Sequence, residues 1–397
     1  MNKLLFRMLT IGLVLIFTAC SDDDTTDPVS SGDTLIDTPA TYTFESRYVA
    51  GESSVSYSGQ VVRNMLISAI KSHITDETVT AAKLTSLYNN DDATAVYTDG
   101  TTLFHDISTS RLENKISPET VLGYNVTPAA LMSTWFDAAE SLAGANVTGG
   151  VFVNQMVGKG LLGTVSYYQG TSVYLGDSKL DGDTNTQDCE DDGTCNNYSD
   201  MEHHWDESFG YFGAARTYST MTDEQRQSSG SGDYKEDVNF DWAKYASKRS
   251  GIAGDFDDLI MNAYLEGRTL ITNQASLSEI KDHRDIIVMN WEKVVAANVV
   301  HYANDVIGLI EAGGTDFDCS ADSNCGKYWS EMAAFVLSLQ YNAHSDMTDS
   351  ELTALHNLVG QAPPVAGEGT DYITSLNTVN STIGEKLGWT ADQLAAF

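Results

Sequence analysis

Proline and positive charge are what this chain has least of. Its 397 residues include six prolines, none of them between residues 129 and 362. A proline inside a helix removes a backbone donor and collides with the preceding turn, so that window is open to long uninterrupted helices. Lysine and arginine number 22 against 56 aspartates and glutamates, a formal charge of −34. A surface this acidic repels phosphate backbones, which argues against nucleic acid as a partner and for an attraction to cations. Beyond residue 19 no apolar run is long enough to cross a bilayer. There is no H-E-x-x-H, no P-loop and no G-x-S-x-G, so the common metallopeptidase, nucleotide and serine-hydrolase signatures are missing. What remains is 42% hydrophobic and 10% aromatic, enough for a sizeable core.

The first 19 residues read as a leader. Lys3 and Arg7 precede the apolar run Met8 to Ala19, which is too short for a membrane span and suits a signal-peptide core. The run ends Phe17-Thr18-Ala19-Cys20, which resembles a bacterial lipobox, with Cys20 as the lipidated residue. Ser21 after it, in place of Asp, points in such lipoproteins to the outer membrane. The alternative is an ordinary signal peptide with an incidental cysteine. Residues 20–41, with Asp22-Asp23-Asp24, read as a flexible tether, and 42–397 as the body.

Four further cysteines fall in two C-x5-C pairs, Cys189 with Cys195 and Cys319 with Cys325, in acidic loops. In an oxidising compartment two local disulfides are the natural pairing; a four-thiolate zinc site needs closer spacing and reduced sulfur. Period-3.6 patterning dominates the body and alternating patterns are rare. Val61, Met65, Ala69 and His73 form one helix stripe; Thr127-Pro128 opens another helix running to Leu142. Ser276-x-x-Glu279 is a capping box for a helix of about 36 residues that stops at Gly313-Gly314. Further helices are expected near 153–168, 255–274, 327–343, 348–359 and 372–387, with loops at 91–118, 169–198, 222–238, 314–326 and 361–368. The glycine-serine cluster at 228–232 reads as linker. The expected fold is all-α: a helical bundle, as one body or as two packed sub-bundles meeting near 169–198, carrying disulfide-pinned acidic loops.

The segment 199–213 carries the chemistry. Ser199-x-x-Glu202 is a second capping box, placing His203 in the first two turns of a helix. At 100° per residue Met201, Trp205, Phe209 and Phe212 share a core face, while Asp200, His203, His204, Glu207 and Tyr211 share the opposite one. A histidine with a glutamate three residues on can put an imidazole nitrogen and a carboxylate on one cation, as helical bundles do. The expected metal ligands are His204 and Glu207 with His203 or His301, and Asp206 or Tyr211 behind them. Arg268 and Glu331 are weaker candidates. Gly210 would let another backbone approach. The competing reading is a solvated polar face. Asp181, Asp183, Asn185 and Asp192 place oxygens at positions 1, 3, 5 and 12 of a calcium-type loop, although Thr186 replaces its turn glycine and Asp192 its glutamate. The alternative there is an acidic loop without an ion.

Residues 202–213 (Glu-His-His-Trp-Asp-Glu-Ser-Phe-Gly-Tyr-Phe-Gly), with Asn-Val-Val-His-Tyr-Ala-Asn at 298–304 and the stretch from Ser330 to Asn342, resemble an uncharacterised family of bacterial lipoproteins over roughly 42–390. Members tend to be encoded near imelysin-like proteins and iron-uptake components. Imelysin-like proteins are all-α double bundles with a G-x-H-x-x-E motif, of which His204-x-x-Glu207 matches the last four positions, while Glu202 stands at the glycine. The resemblance implies a metal ion, iron or zinc, handled at the outer membrane alongside metal-uptake envelope proteins. The alternatives are an imelysin-like metallopeptidase, with Glu207 as base on a metal-bound water, and a structural or adhesive module stiffened by calcium.

Overall fold

The computed structural model describes residues 35–91, 101–228, 238–314 and 316–397. Cys20, the expected leader, the expected tether up to residue 34 and residues 229–232 of the expected linker lie outside them. The helices, in chain order, are α1 (Ser58–His73), α2 (Ala81–Asn89), α3 (Phe104–Ile107), α4 (Pro128–Leu142), α5 (Val153–Leu161), α6 (Asp200–Phe212) and α7 (Asp223–Arg226). After them come α8 (Asp241–Arg249), α9 (Phe256–Thr272), α10 (Leu277–Gly313), α11 (Ser323–Ser338), α12 (Asp349–Val359), α13 (Gly369–Leu387) and α14 (Ala391–Ala396). Strand is confined, among the described residues, to the hairpins β1 (Val147–Thr148) with β2 (Val151–Phe152) and β3 (Gln187–Cys189) with β4 (Cys195–Ser199). The all-α expectation holds.

Capping chemistry starts these helices where the sequence places it. The hydroxyl of Ser276 accepts from the Glu279 amide at 3.3 Å and the Glu279 carboxylate accepts from the Ser276 amide at 3.2 Å, closing the box that opens α10. Ser199 and Glu202 do the same for α6, and Thr127 caps α4 with Pro128 at its first position. At 37 residues α10 is about 55 Å long. It is the spine: α8, α9, α11 and α13 all pack on it. From Val294 to Val300 every side chain is buried, because neighbours close around the helix on all sides. Trp291 of α10 meets Trp242, Tyr167 and Phe212, and Trp242 in turn meets Phe335, giving an aromatic centre to the core.

Ile36–Phe397 forms one compact unit. The segment 169–198, expected as a loop, begins inside a helix: α5 continues as a π-helix over Leu162–Val173. Wider π turns are rare and concentrate at functional places. Here the π-helix lies against α6, and its Gly170 is required by close approach, since a Cβ there would sit 2.6 Å from the Trp291 ring. Both disulfides form as paired from the spacing. Cys189–Cys195 pins the β3–β4 hairpin, while Cys319–Cys325 is buried beside the start of α11. Helices α2, α8 and α14 lie outside the ranges expected from periodicity, and the single turns α3 and α7 fall inside 91–118 and 222–238, expected as loops, where they are too short to leave a periodic pattern; α8 alone brings Trp242 and Tyr245 to the core.

Candidate functional site

Helix α6 is enclosed on more than its core face. Met201, Trp205, Phe209 and Phe212 are buried as the periodicity requires, but so are Glu202 and Asp206, both wholly inaccessible, and Tyr211. Arg268 of α9 explains the first two. Its Nη1 donates to Glu202 at 2.9 Å, its Nε to Asp206 at 3.0 Å and its Nη2 to Ser54 at 2.8 Å. Tyr42 donates to Asp206 at 2.8 Å, and the Ser199 amide and Thr272 hydroxyl donate to Glu202 at 2.8 and 3.0 Å. Burial alone would raise the Glu202 carboxyl; Arg268 and the Ser199 amide bring it below its ordinary range. Arg268 and Asp206 thus belong to a sealed ion network.

The other polar face is divided between two neighbours. His204 is claimed by Lys179: its Nδ1 donates to the Lys179 carbonyl at 3.3 Å and its Nε2 accepts from the Lys179 ammonium at 3.2 Å. Burial, and then that ammonium, lower its pKa to about 4, so the ring is neutral and both nitrogens are used. The histidine that meets Glu207 is His203, one full turn away, with Nε2 at 3.9 Å from Oε2. The expected His204–Glu207 pair does not form, because residues three apart diverge when each leans on a different neighbour. His203 stacks on Tyr198 at 4.7 Å and donates from Nδ1 to the Ser56 carbonyl at 3.0 Å, leaving Nε2 toward Glu207.

His203 and Glu207 face a polar pocket of about 240 Å3 between α6 and the start of α1. Gly210 has the role expected of it: a Cβ there would lie 2.8 Å from Gln60 and 2.9 Å from Tyr57, so it is what lets α1 come this close. Asn64 donates to the Gly210 carbonyl at 2.9 Å and fixes the contact. Helix α1 opens without a side-chain cap, and its first residues, Ser58, Gly59 and Gln60, line the pocket. Ser108, Ser110, Arg63 and Lys115 complete it. Gln60 donates to Glu207 at 2.7 Å, and Lys115 donates to the Tyr174 hydroxyl at 2.7 Å. Burial and the nearby Arg63 lower the Lys115 ammonium's pKa from its ordinary value. Arg63 lies over the Tyr211 ring at 5.9 Å and interacts with its hydroxyl, and Oε1 of Gln169, whose amide holds the Lys115 carbonyl at 2.6 Å, is buried with no hydrogen-bond partner among the described residues.

The remaining candidates lie elsewhere. His301 contacts the Phe397 carbonyl and pairs with Asp305 at 3.5 Å; it does not join α6. Glu331 lies with Tyr302, Tyr245 and Lys159 in a separate buried polar group. Of the four calcium-type positions, Asp181, Asn185 and Asp192 have their side-chain oxygens engaged. Asp181 accepts from the Asp183 amide at 3.2 Å and Asp192 from the Thr194 amide at 2.9 Å, while the Asn185 carboxamide oxygen faces the Arg47 guanidinium, a positive charge where a loop ligand would meet the ion. Among the described residues no group of three or more His, Cys, Asp or Glu side chains is placed to hold a metal ion. The α6 pocket brings two such donors together and surrounds them with cations, an arrangement unsuited to a bare metal ion and suited to a ligand with negative charge.

A family model described as a domain of unknown function, DUF4856, matches residues 39–137 and 137–390. The chain belongs to the DUF4856 family. No curated protein and no solved structure matches it. For this DUF4856 chain, the residues missed in the sequence are Arg63 and Lys115. Arg63 with Gln60 and Asn64 interrupts the apolar stripe of α1, a legible signal of a helix with polar business on its buried side. Lys115 lies in a segment read only as loop.

Proposed function

We propose that this DUF4856 chain is a lipid-anchored protein of the cell envelope that binds a small anion in the pocket between α1 and α6. The leader-like run ending at Cys20 supports the anchoring, and two formed disulfides suit an oxidising compartment. The observation that carries the binding is the gathering of Arg63 and Lys115 in one polar pocket of a chain with a charge of −34. An anion repelled by the rest of the surface finds two cations, several hydroxyls and an uncapped helix start in one place. Isothermal titration of residues 36–397 with citrate and with phosphate tests this. Binding of at least one is expected, weakened about tenfold or more in Lys115→Gln and in Arg63→Gln, since each removes a charge-assisted hydrogen bond. No heat with either anion, or affinity unchanged in both variants, would remove the proposal.

A second reading keeps the metal. His203 Nε2 and Glu207 Oε2, 3.9 Å apart on the same pocket wall, are two donors that could complete the shell of an iron or zinc ion arriving inside an anionic chelator. The resemblance to imelysin-associated lipoproteins supports this reading and, with it, a part in metal acquisition at the outer membrane. Ferric citrate binding tighter than citrate, with the difference lost in His203→Ala, would select it.

A further inference from the structure

A second cavity, of about 430 Å3, opens between α10, the 342–347 connection and the last turn of α13. Its chemistry is opposite to that of the α6 pocket. Val288, Met289 and Leu387 form apolar wall, and Met289 is 49% exposed, unusual for so large an apolar side chain. Glu292 lines the same cavity with only 6% of its surface exposed. It accepts from Asn342 at 3.1 Å and Ser345 at 2.6 Å, and has no ion-pair partner among the described residues. Burial raises its pKa above the ordinary value, and Asp346 close by adds to that. Of the other charged lining groups, Lys386 is held by Glu351 at 3.0 Å and Asp285 by Arg284, while Lys293 and Asp346 form no ion pair among the described residues.

His344 adds a third acceptor. Its Nε2 is buried without a hydrogen-bond partner among the described residues, while the ring's other nitrogen lies against the Thr171 carbonyl. Burial and then Arg284 keep the ring neutral, so Nε2 accepts and does not donate. The C-terminal end of α13 contributes the negative end of its dipole. Three acceptors beside an apolar wall call for a donor that carries positive charge and a hydrocarbon body. A bare metal ion answers only the first need, and these side chains form no cluster of the kind that would hold one.

We propose that this cavity binds a small organic cation, a primary amine whose ammonium sits by Glu292 and Asp346 and whose apolar body covers Val288, Met289 and Leu387. The probes are hexylammonium, hexanol and hexanoate, added to residues 36–397 with the methionine methyl groups carbon-13 labelled. Hexylammonium should shift the Met289 signal, assigned by Met289→Leu, and bind at least tenfold more tightly than hexanol, with hexanoate weaker still. Glu292→Gln should reduce hexylammonium affinity at least fivefold. Asp346→Asn, at an exposed position outside the Asn342 and Ser345 hydrogen bonds, should do so in a fold that is intact. Equal affinity for hexanol and hexylammonium, an unmoved Met289 signal, or affinity unchanged in Asp346→Asn would each overturn the proposal.

Discussion

The two polar sides of α6 use the same ingredients to opposite ends. On one side Glu202 and Asp206 meet Arg268, and each of these groups is surrounded by donors or acceptors: Tyr42, Ser54, Ser199 and Thr272. On the other, His203 and Glu207 meet an open pocket with Lys115 and Arg63. Both sides bring cations to carboxylates of one helix. The difference is access. Around Arg268 each guanidinium nitrogen is spent inside the protein and both carboxylates are inaccessible, whereas the cations of the pocket line open space that a ligand can enter.

The sealed side can be broken most severely at Arg268. Arg268→Met leaves Asp206 without its counter-charge and Glu202 with only Arg47, at 3.7 Å, and removing one partner of a buried ion network costs about 3–5 kcal/mol. Urea denaturation of residues 36–397 measures it. A loss under about 1 kcal/mol would mean that these carboxylates take up protons freely and that the two sides of α6 do not differ as described. A smaller effect comes from the wall beneath the same network. A Cβ at Gly267 would lie 2.2 Å from the Trp205 ring, which is fully buried, so Gly267→Ala should destabilise by about 1–3 kcal/mol through overpacking.

How much of this contrast could be read in the sequence depends on range. Caps act over three residues, which is why Ser276, Ser199 and Thr127 start their helices at the expected places. Gly210 was legible too, because a glycine in a helix of large side chains marks close approach. The π-helix was not: Gln169-Gly-Thr-Ser reads as loop, and only packing against α6 and Trp291 holds it helical. Nor could sequence decide between the two histidines. Lys179 takes His204 from outside the helix, a contact across 25 residues, and Lys115 reaches the pocket from a stretch with no periodicity. Lone polar residues inside apolar helices were the unused signal, Arg63 in α1 and Lys159 between two glycines in α5.

Acid separates the imidazole that α6 sets against Lys179 from its sealed carboxylates by pH. His204 has a folded pKa of about 4 against an ordinary 6.5, so between those values the unfolded chain binds a proton that the folded chain refuses. Stability therefore falls as pH drops from about 6.5 to 4. Glu202, held below its ordinary 4.5, contributes stability that is present above 4.5 and lost as pH falls below it. His356, which burial also lowers to about 4, shares the upper window. His204→Gln should flatten the slope between pH 6.5 and 4 in part, with the fall below 4.5 intact. Urea midpoints at pH 7, 5.5, 4.5 and 3.5 check both; an unaltered upper slope would show that Lys179 and burial do not keep this ring neutral.

The smallest change in stability is expected at Lys115, and that is what makes it the sharpest test of the comparison. Its ammonium donates to Tyr174 but forms no ion pair among the described residues; Arg63 beside it repels it and Glu207 attracts it. Lys115→Gln keeps an amide donor for the Tyr174 hydroxyl and removes the repulsion and the attraction together, so the urea midpoint should stay within about 0.5 kcal/mol of the parent, as for a substitution outside any sealed network. Arg268→Met and Lys115→Gln each remove one cation facing an acid-bearing helix. If both cost the same, the charges on the two sides serve packing alike, and the pocket is only a gap in it. If the first unfolds the chain and the second merely empties the pocket of its anion, Lys115 is kept in a chain with so few cations for what it holds, not for what it supports.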